Sequence, residues 1–188
     1  MGKWKIKTQP SEEPVTLSEA KAHLNIPSAI TDWDSLITRQ IATARQYVED
    51  FIGGCLVSTT ILEYFDEFPC GWLELSRFPV SSVTSVKYTD ADGAQQTWTS
   101  TEYSTDLVSK FARIAPKPNE VWPANNDDIN SIVVEYVAGF GAKSAVPELY
   151  KDAILLTVGH LFENREDTVH TMPTRVIDLL YRKSNWQF

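Results

Sequence analysis

Basic charge is scarce in this sequence: 17 Lys and Arg stand against 25 Asp and Glu, a formal net charge of −8. That balance argues against a sequence-reading nucleic-acid binder, whose phosphate contacts need a clustered basic face. It leaves room for DNA passing close by, because an acidic wall repels a duplex and keeps it from sticking. Cysteine is limited to Cys55 and Cys70, outside any Cys-x-x-Cys or Cys/His cluster, so a zinc site is excluded on spacing and a disulfide is not expected. Histidine is limited to the scattered His23, His160 and His170. There is no Gly-x-Ser-x-Gly elbow, Walker A loop or HExxH, and Gly139-Phe-Gly141 lacks the third glycine and the helix start of a dinucleotide site. No apolar run reaches the roughly 18 to 20 residues that span a bilayer. MGKWKIKTQ at the N-terminus has no apolar core behind its charges, and Ile6 stands where a myristoylation site needs Ser or Thr. The expected compartment is a reducing cytoplasm.

What is present is enough apolar matter for a sizeable core: 43% hydrophobic residues and six Trp in 188 residues. The most informative stretch is VPELYKDAILLTVGHLFENRED, in which no Asp, Glu, Lys or Arg interrupts Ala153 to Phe162. A surface helix shows one apolar stripe, whereas a helix apolar on most faces lies in a large core, a membrane or a subunit interface. The run is too short for a membrane. The expectation is a central helix, buried nearly all round, packed by its own domain and by a neighbouring copy.

The pattern changes twice along the chain. TLSE at Thr16 to Glu19 has the spacing of a capping box and opens a short helix to about His23. Thr31, Asp32 and Asp34 offer caps for a second helix carrying Trp33, Leu36, Ile37, Ile41, Ala44, Val48 and Phe51 at helical spacing, which Gly53 and Gly54 end. From Val57 to about Phe140 come short extended runs, STTILEYF, WLEL, VTSVKYT, QTWTS, ARIA and SIVVEYV, predicting five or six antiparallel strands. DADG at Asp90 to Gly93 reads as a hairpin turn, and RFPVSSV and NEVWPAN place prolines at strand starts or edges. Helix returns near Pro147, capped by Ser144 or Val146, and a last helix is opened by Pro173. The fold class is therefore α+β: N-terminal and C-terminal helices packed as one helical body, with an antiparallel β lobe inserted between them. The expected divisions are an arm at 1–13, helical body at 14–54, β lobe at 55–142, helical body again at 143–183, and a tail at 184–188.

Individual residues give no convergent chemistry. His160 reads as a hydrogen-bonded core histidine. Asp90, Asp92 and Gly93 read as a turn, lacking the downstream ligands and closing Glu of a calcium loop. Glu63, Asp66 and Glu67 read as a solvated strand edge rather than as paired catalytic carboxylates. Lys3, Lys5 and Lys7 alternate with Trp4 and Ile6 as a short strand would, which either clasps a neighbouring subunit by strand addition or packs on its own chain. Trp186 and Phe188 are aromatic anchors for a pocket, in this domain or in a partner.

Taken in order, PVTLSEAKAHLNI, DFIGG, FDEFPCGWLELSRFPVSSVTSVKYTDADG, VEYVAGFG, VPELYKDAILLTVGHLFENRED and MPTRVIDLLYRKSNW resemble head-tail connector proteins of tailed phages, prophages and gene-transfer particles. The resemblance runs over roughly residues 14 to 183 and implies a non-enzymatic adaptor or head-completion protein without cofactor or metal. Such a protein binds beneath the portal as a ring of roughly twelve copies. It extends the DNA exit channel, lets DNA pass without specific binding, and offers a platform to a tail terminator or stopper. The implied location is the virion neck, with assembly in the host cytoplasm. On that reading Arg175, Val176, Ile177, Leu180, Tyr181, Arg182, Lys183, Trp186 and Phe188 form a portal interface. Trp4, Ile6, Leu155 and Leu156 form the subunit interface. The long β lobe departs from the smallest members of the family. Two other classes fit the same residues: a regulatory module binding proteins through its sheet edge, and a small hydrolase with Glu63, Asp66 or His160 in an inter-lobe cleft.

Overall fold

The computed structural model describes residues 3–126, 128–164 and 174–184, with side chains as far as Tyr181 in the last segment. Its described residues divide into two compact units, one holding 3–10 and 58–140 and the other 11–57, 141–164 and 174–184. Residues 3–10, expected as part of an arm, thus group with the strands.

The described residues of the β unit form eight strands, more than the five or six expected: β1 (Lys3–Thr8), β2 (Thr59–Phe65), β3 (Leu73–Glu74), β4 (Val80–Thr89), β5 (Gln95–Trp98), β6 (Tyr103–Asp106), β7 (Arg113–Pro116) and β8 (Ile132–Ala138). They form a five-stranded sheet in the order β1-β2-β8-β4-β5 and a three-stranded sheet in the order β3-β7-β6, antiparallel throughout. Alternation in TTILEYF and IVVEYVA sets the register, because a period of two sends every second side chain to the same face. Ile61 lies opposite Tyr136 and Glu63 opposite Val134, and all four are fully buried. Val86 and Trp98 continue that face across β4 and β5. Lys7, Leu62, Tyr64, Ser85, Lys87, Val133 and Glu135 line a shallow groove on the opposite face.

Asp90 shapes the β4–β5 hairpin by accepting the amides of Asp92 and Ala94, with Gly93 at φ 81°. Residues 117–131 contain no strand among those described, and NEVWPAN is held instead by its aromatic ring. Trp122 stacks on Phe68 at 4.7 Å and tilts against Trp98 at 5.1 Å. Pro118 and Pro123 each remove a ladder donor from that stretch, which packing replaces in part.

The helical unit contains α1 (Leu17–His23), α2 (Asp34–Ile52), α3 (Glu148–Glu163) and α4 (Thr174–Ser184). Helix α3 is central, touching each of the other three. The capping box at α1 forms as expected: Thr16 Oγ1 accepts the Glu19 amide and the Glu19 carboxyl accepts the Thr16 amide. The Thr16 side-chain hydrogen bond, then that from its backbone, lowers the pKa of Glu19 below the usual carboxylate value.

Two helix starts differ from expectation. Trp33, not Thr31, Asp32 or Asp34, occupies the α2 cap position, with no side-chain cap. Asp34 is drawn off by the buried Lys21, whose ammonium also donates to the carbonyls of Ser28 and Ile30. At α3 the cap position is taken by Pro147 rather than Ser144 or Val146. Gly53 ends α2 in the left-handed conformation at φ 73°, as expected.

A buried charged group braces the α2 end. Arg45 donates to Glu13 at 2.8 Å and to Glu49 at 2.6 Å, while Glu49 also accepts the Leu56 amide. Burial pushes the Glu49 carboxyl up, more than the Leu56 amide and Arg45 pull it down. Burial acts to lower the Arg45 pKa as well, but Glu13 and Glu49 outweigh it and raise it. Both values rise, with opposite effect on charge: Glu49 loses more hydration than Arg45 and the Leu56 amide restore, which disfavours its carboxylate, whereas two carboxylates outweigh the desolvation of Arg45 and favour its guanidinium.

Candidate assembly surfaces

Helix α3 is not buried all round. Tyr150, Ala153, Ile154, Thr157 and Val158 form one buried face, while Leu155, Leu156 and residues 159–162 are half-buried. The helices described in this unit do not cover every side of the uncharged stretch Ala153–Phe162. The expected subunit-interface pair Leu155 and Leu156 therefore lies next to the core with apolar surface still open. Gly159 sits where α1 approaches closely: a Cβ there would lie 3.4 Å from His23 Nε2. Glycine at that position admits the histidine ring beside the α3 backbone.

The expected portal stripe on α4 splits. Val176 and Leu180 are fully buried within the helical unit. Packing of α4 on α3 uses them up, so as described they are withdrawn from any partner. Arg175 is exposed, Ile177 half-buried, and Tyr181 is 56% exposed with its ring edge-on to Phe51 at 5.4 Å. The side chains of Arg182 and Lys183, and Trp186 and Phe188 altogether, lie outside the described residues.

At the other end of the chain, β1 is an edge strand paired with β2 of its own chain, Trp4 opposite Glu63 and Ile6 opposite Ile61. All six of its residues are exposed, Trp4 by 39% and Ile6 by 38%. The Arg77 guanidinium lies 3.8 Å over the Trp4 ring, Lys5 lies 5.0 Å over the Tyr64 ring, and Lys7 pairs with Glu135 at 2.7 Å. Sequence reasoning missed Arg77; an arginine just before Phe78-Pro79 carries no pattern that announces a cation–π partner 73 positions away.

Two of the carboxylates weighed for catalysis, Glu63 and Asp66, are engaged in hydrogen bonds within the β unit. Glu63, expected on a solvated edge, is fully buried. It accepts the Ser76 hydroxyl at 2.7 Å, the Tyr136 hydroxyl at 2.8 Å and the Ser76 amide at 3.1 Å. Its position is inner because Glu63 shares the face of Ile61, a placement the period of two required and its charge concealed. Asp66 accepts the Asn130 amide through its side chain and the Ser131 hydroxyl through its carbonyl, closing the loop before β8. His160 Nδ1 lies 3.2 Å from the Asn164 amide nitrogen at the α3 C-terminus. A cleft of about 690 Å³ in the β unit is lined by Asp66, Glu67, Trp72, Glu74 and Phe111 among others. Cys55 is buried, Cys70 exposed, and no disulfide joins them. Among the described residues no group of three or more His, Cys, Asp or Glu is placed to hold a metal ion. No helix among them is long and apolar enough to cross a membrane.

Residues 14–109 match the family of phage gp6-like head-tail connector proteins, and the chain belongs to that family. It is a structural connector between a phage head and tail. Solved structures share the fold over nearly the whole chain. A chain of the virion of the native gene transfer agent particle matches with TM-score 0.80 and 21% identity, covering 95% of this chain and 93% of that one. A chain in the neck of the empty particle, computed with C6 symmetry, matches with TM-score 0.79 and 21% identity, covering 96% and 94%. A third, in the neck of the native particle computed with C12 symmetry, has TM-score 0.74 and 22% identity over 97% and 93%. No curated protein matches the sequence.

Proposed function

We propose that this protein sits in the neck of a tailed phage or gene-transfer particle as a ring of roughly twelve copies bound beneath the portal. The ring extends the DNA exit channel and carries the tail terminator or stopper. The role is mechanical and non-enzymatic. The observation that supports this best is full-length agreement of fold, in both units, with chains from particles whose neck was computed with C6 and C12 symmetry.

Neighbouring copies meet through the open side of α3, with Leu155 and Leu156, and through Trp4 and Ile6 on β1. The portal is gripped by the exposed side of α4, Arg175, Ile177 and Tyr181, together with Arg182, Lys183, Trp186 and Phe188. The acidic excess keeps passing DNA from adhering. Electron microscopy of the purified chain mixed with its portal tests the reading. Closed rings seated on the portal are expected; isolated copies that do not touch, or no binding, would overturn it.

A further inference from the structure

We propose that β1 is an exchangeable latch: within the ring, Lys3–Thr8 of one copy seats on the β2 edge of the next, replacing that copy's own strand. The occupant is the identical segment of a second copy. This deepens the ring reading and rests on it.

The seat is already visible within one chain. Strand β1 lies at the sheet edge and its backbone ladder is with β2. Its side-chain anchors are Tyr64, Arg77 and Glu135, all carried by residues 58–140. Just downstream of β1 the chain passes into the other unit, where Glu12 accepts the Lys143 amide at 3.0 Å and Glu13 pairs with Arg45. The strand is therefore fastened to one unit and its continuation to the other, with residues 9–11 as the hinge.

An exchanged strand makes the same ladder, the same ring contacts and the same ion pair, so exchange costs nothing in contacts. Effective concentration then decides the outcome. In dilute solution a chain's own strand wins. Copies fixed side by side in a ring present neighbouring strands at far higher concentration, and a hinge this short favours exchange over flexible return. Lysines on an edge strand ordinarily discourage promiscuous pairing. Here they also select the partner, because β2 and β8 offer the ring of Tyr64 and the carboxylate of Glu135 on the matching face.

Two full-length chains, both with Cys70→Ser, test the exchange: one carries Lys5→Cys and the other Leu62→Cys, positions that face each other across β1 and β2. A chain bearing both changes should close its own disulfide, which verifies the register. Mixed at high concentration and oxidised, the single variants should form a covalent heterodimer whose yield rises with concentration and increases severalfold on the portal. Self-closure of the double variant with no heterodimer at any concentration would overturn the proposal. In a second measurement, a chain lacking residues 1–10 should keep its circular dichroism and bind a synthetic peptide of those residues. A Trp4→Ala peptide should bind at least tenfold more weakly. A truncated chain that folds but ignores the peptide, or that fails to fold, also overturns the proposal. Rings seen by microscopy without heterodimers would remove the latch and leave the ring reading intact.

Discussion

Tyr136 donates its hydroxyl to Glu63 across the β8–β2 ladder at 2.8 Å, with both side chains at zero exposure. Tyr136→Phe removes one hydrogen bond to a buried carboxyl group that still keeps Ser76. The loss expected in urea denaturation is about 1.5 to 3 kcal/mol. Glu63→Ala should cost more than Tyr136→Phe, since it strands both hydroxyls and opens a cavity. Equal stability of the Tyr136→Phe and parent chains would show the bond to be immaterial.

Lys21 ties the end of α1 to the start of α2 through Ser28, Ile30 and Asp34. Lys21→Met keeps the stem and removes three acceptors' donor. The expected cost is on the order of 2 to 3 kcal/mol. Hydrogen exchange should quicken at Ile30 and Asp34 before it does in α3; uniform protection would count against the tie.

Asp106 gathers the amides of Val108 and Ser109, the Ser109 hydroxyl and Arg113. The Ser109 side chain first, then Arg113, holds its pKa well below the ordinary value of 3.8. A carboxyl group depressed by folding stabilises the native state fully above its unfolded pKa, and that contribution fades as pH falls below it. The difference in melting temperature between parent and Asp106→Asn should accordingly be constant above about pH 5 and shrink below about pH 4. A gap that widens in acid would contradict the assignment.

Leu156→Glu places charge on the open side of α3 beside Leu155. The chain should keep its circular dichroism and stay soluble yet form no rings on portals, because a carboxylate buried between copies is unpaired. Normal rings would move the subunit contact elsewhere.

Deleting Ser184–Phe188 separates a docking tail from a structural one. The expected outcome is an unchanged melting temperature with portal binding lost. Lost stability with normal portal binding would show that the tail serves its own domain.

Much of the fold was legible where local chemistry and tertiary packing agree. Thr16 and Glu19 announced their box, Gly53 its left-handed end, and Ile61, Val134 and Tyr136 their alternation. The features that stayed hidden depend on partners distant in sequence. Tyr103–Asp106 has too few β-branched residues to read as a strand, and it pairs because β7 lies beside it with Arg113 reaching Asp106. Glu63 looked like a solvated edge because the hydroxyls that satisfy it lie 13 and 73 positions away, and the acceptors that bury the Lys21 ammonium lie 7 to 13 positions away. Helix α3 was overread: absence of charge fixes which residues tolerate burial, not how many neighbours one chain can supply. The α4 stripe was read correctly as apolar, but periodicity does not say whose core it enters. Val176 and Leu180 enter their own.

The division of the helical unit by residues 58–140 carries a consequence for the order of events in the cell. Translation delivers β1, α1 and α2 first, then the other strands of the β unit, and only afterwards α3, against which α1 and α2 pack. Domains fold as their sequence becomes available, so the β unit can mature while α2 still lacks its partner. The side of α3 that bears Leu155 and Leu156 is therefore made only after α1, α2 and the strands. A chain that stops short of Glu148 lacks that surface.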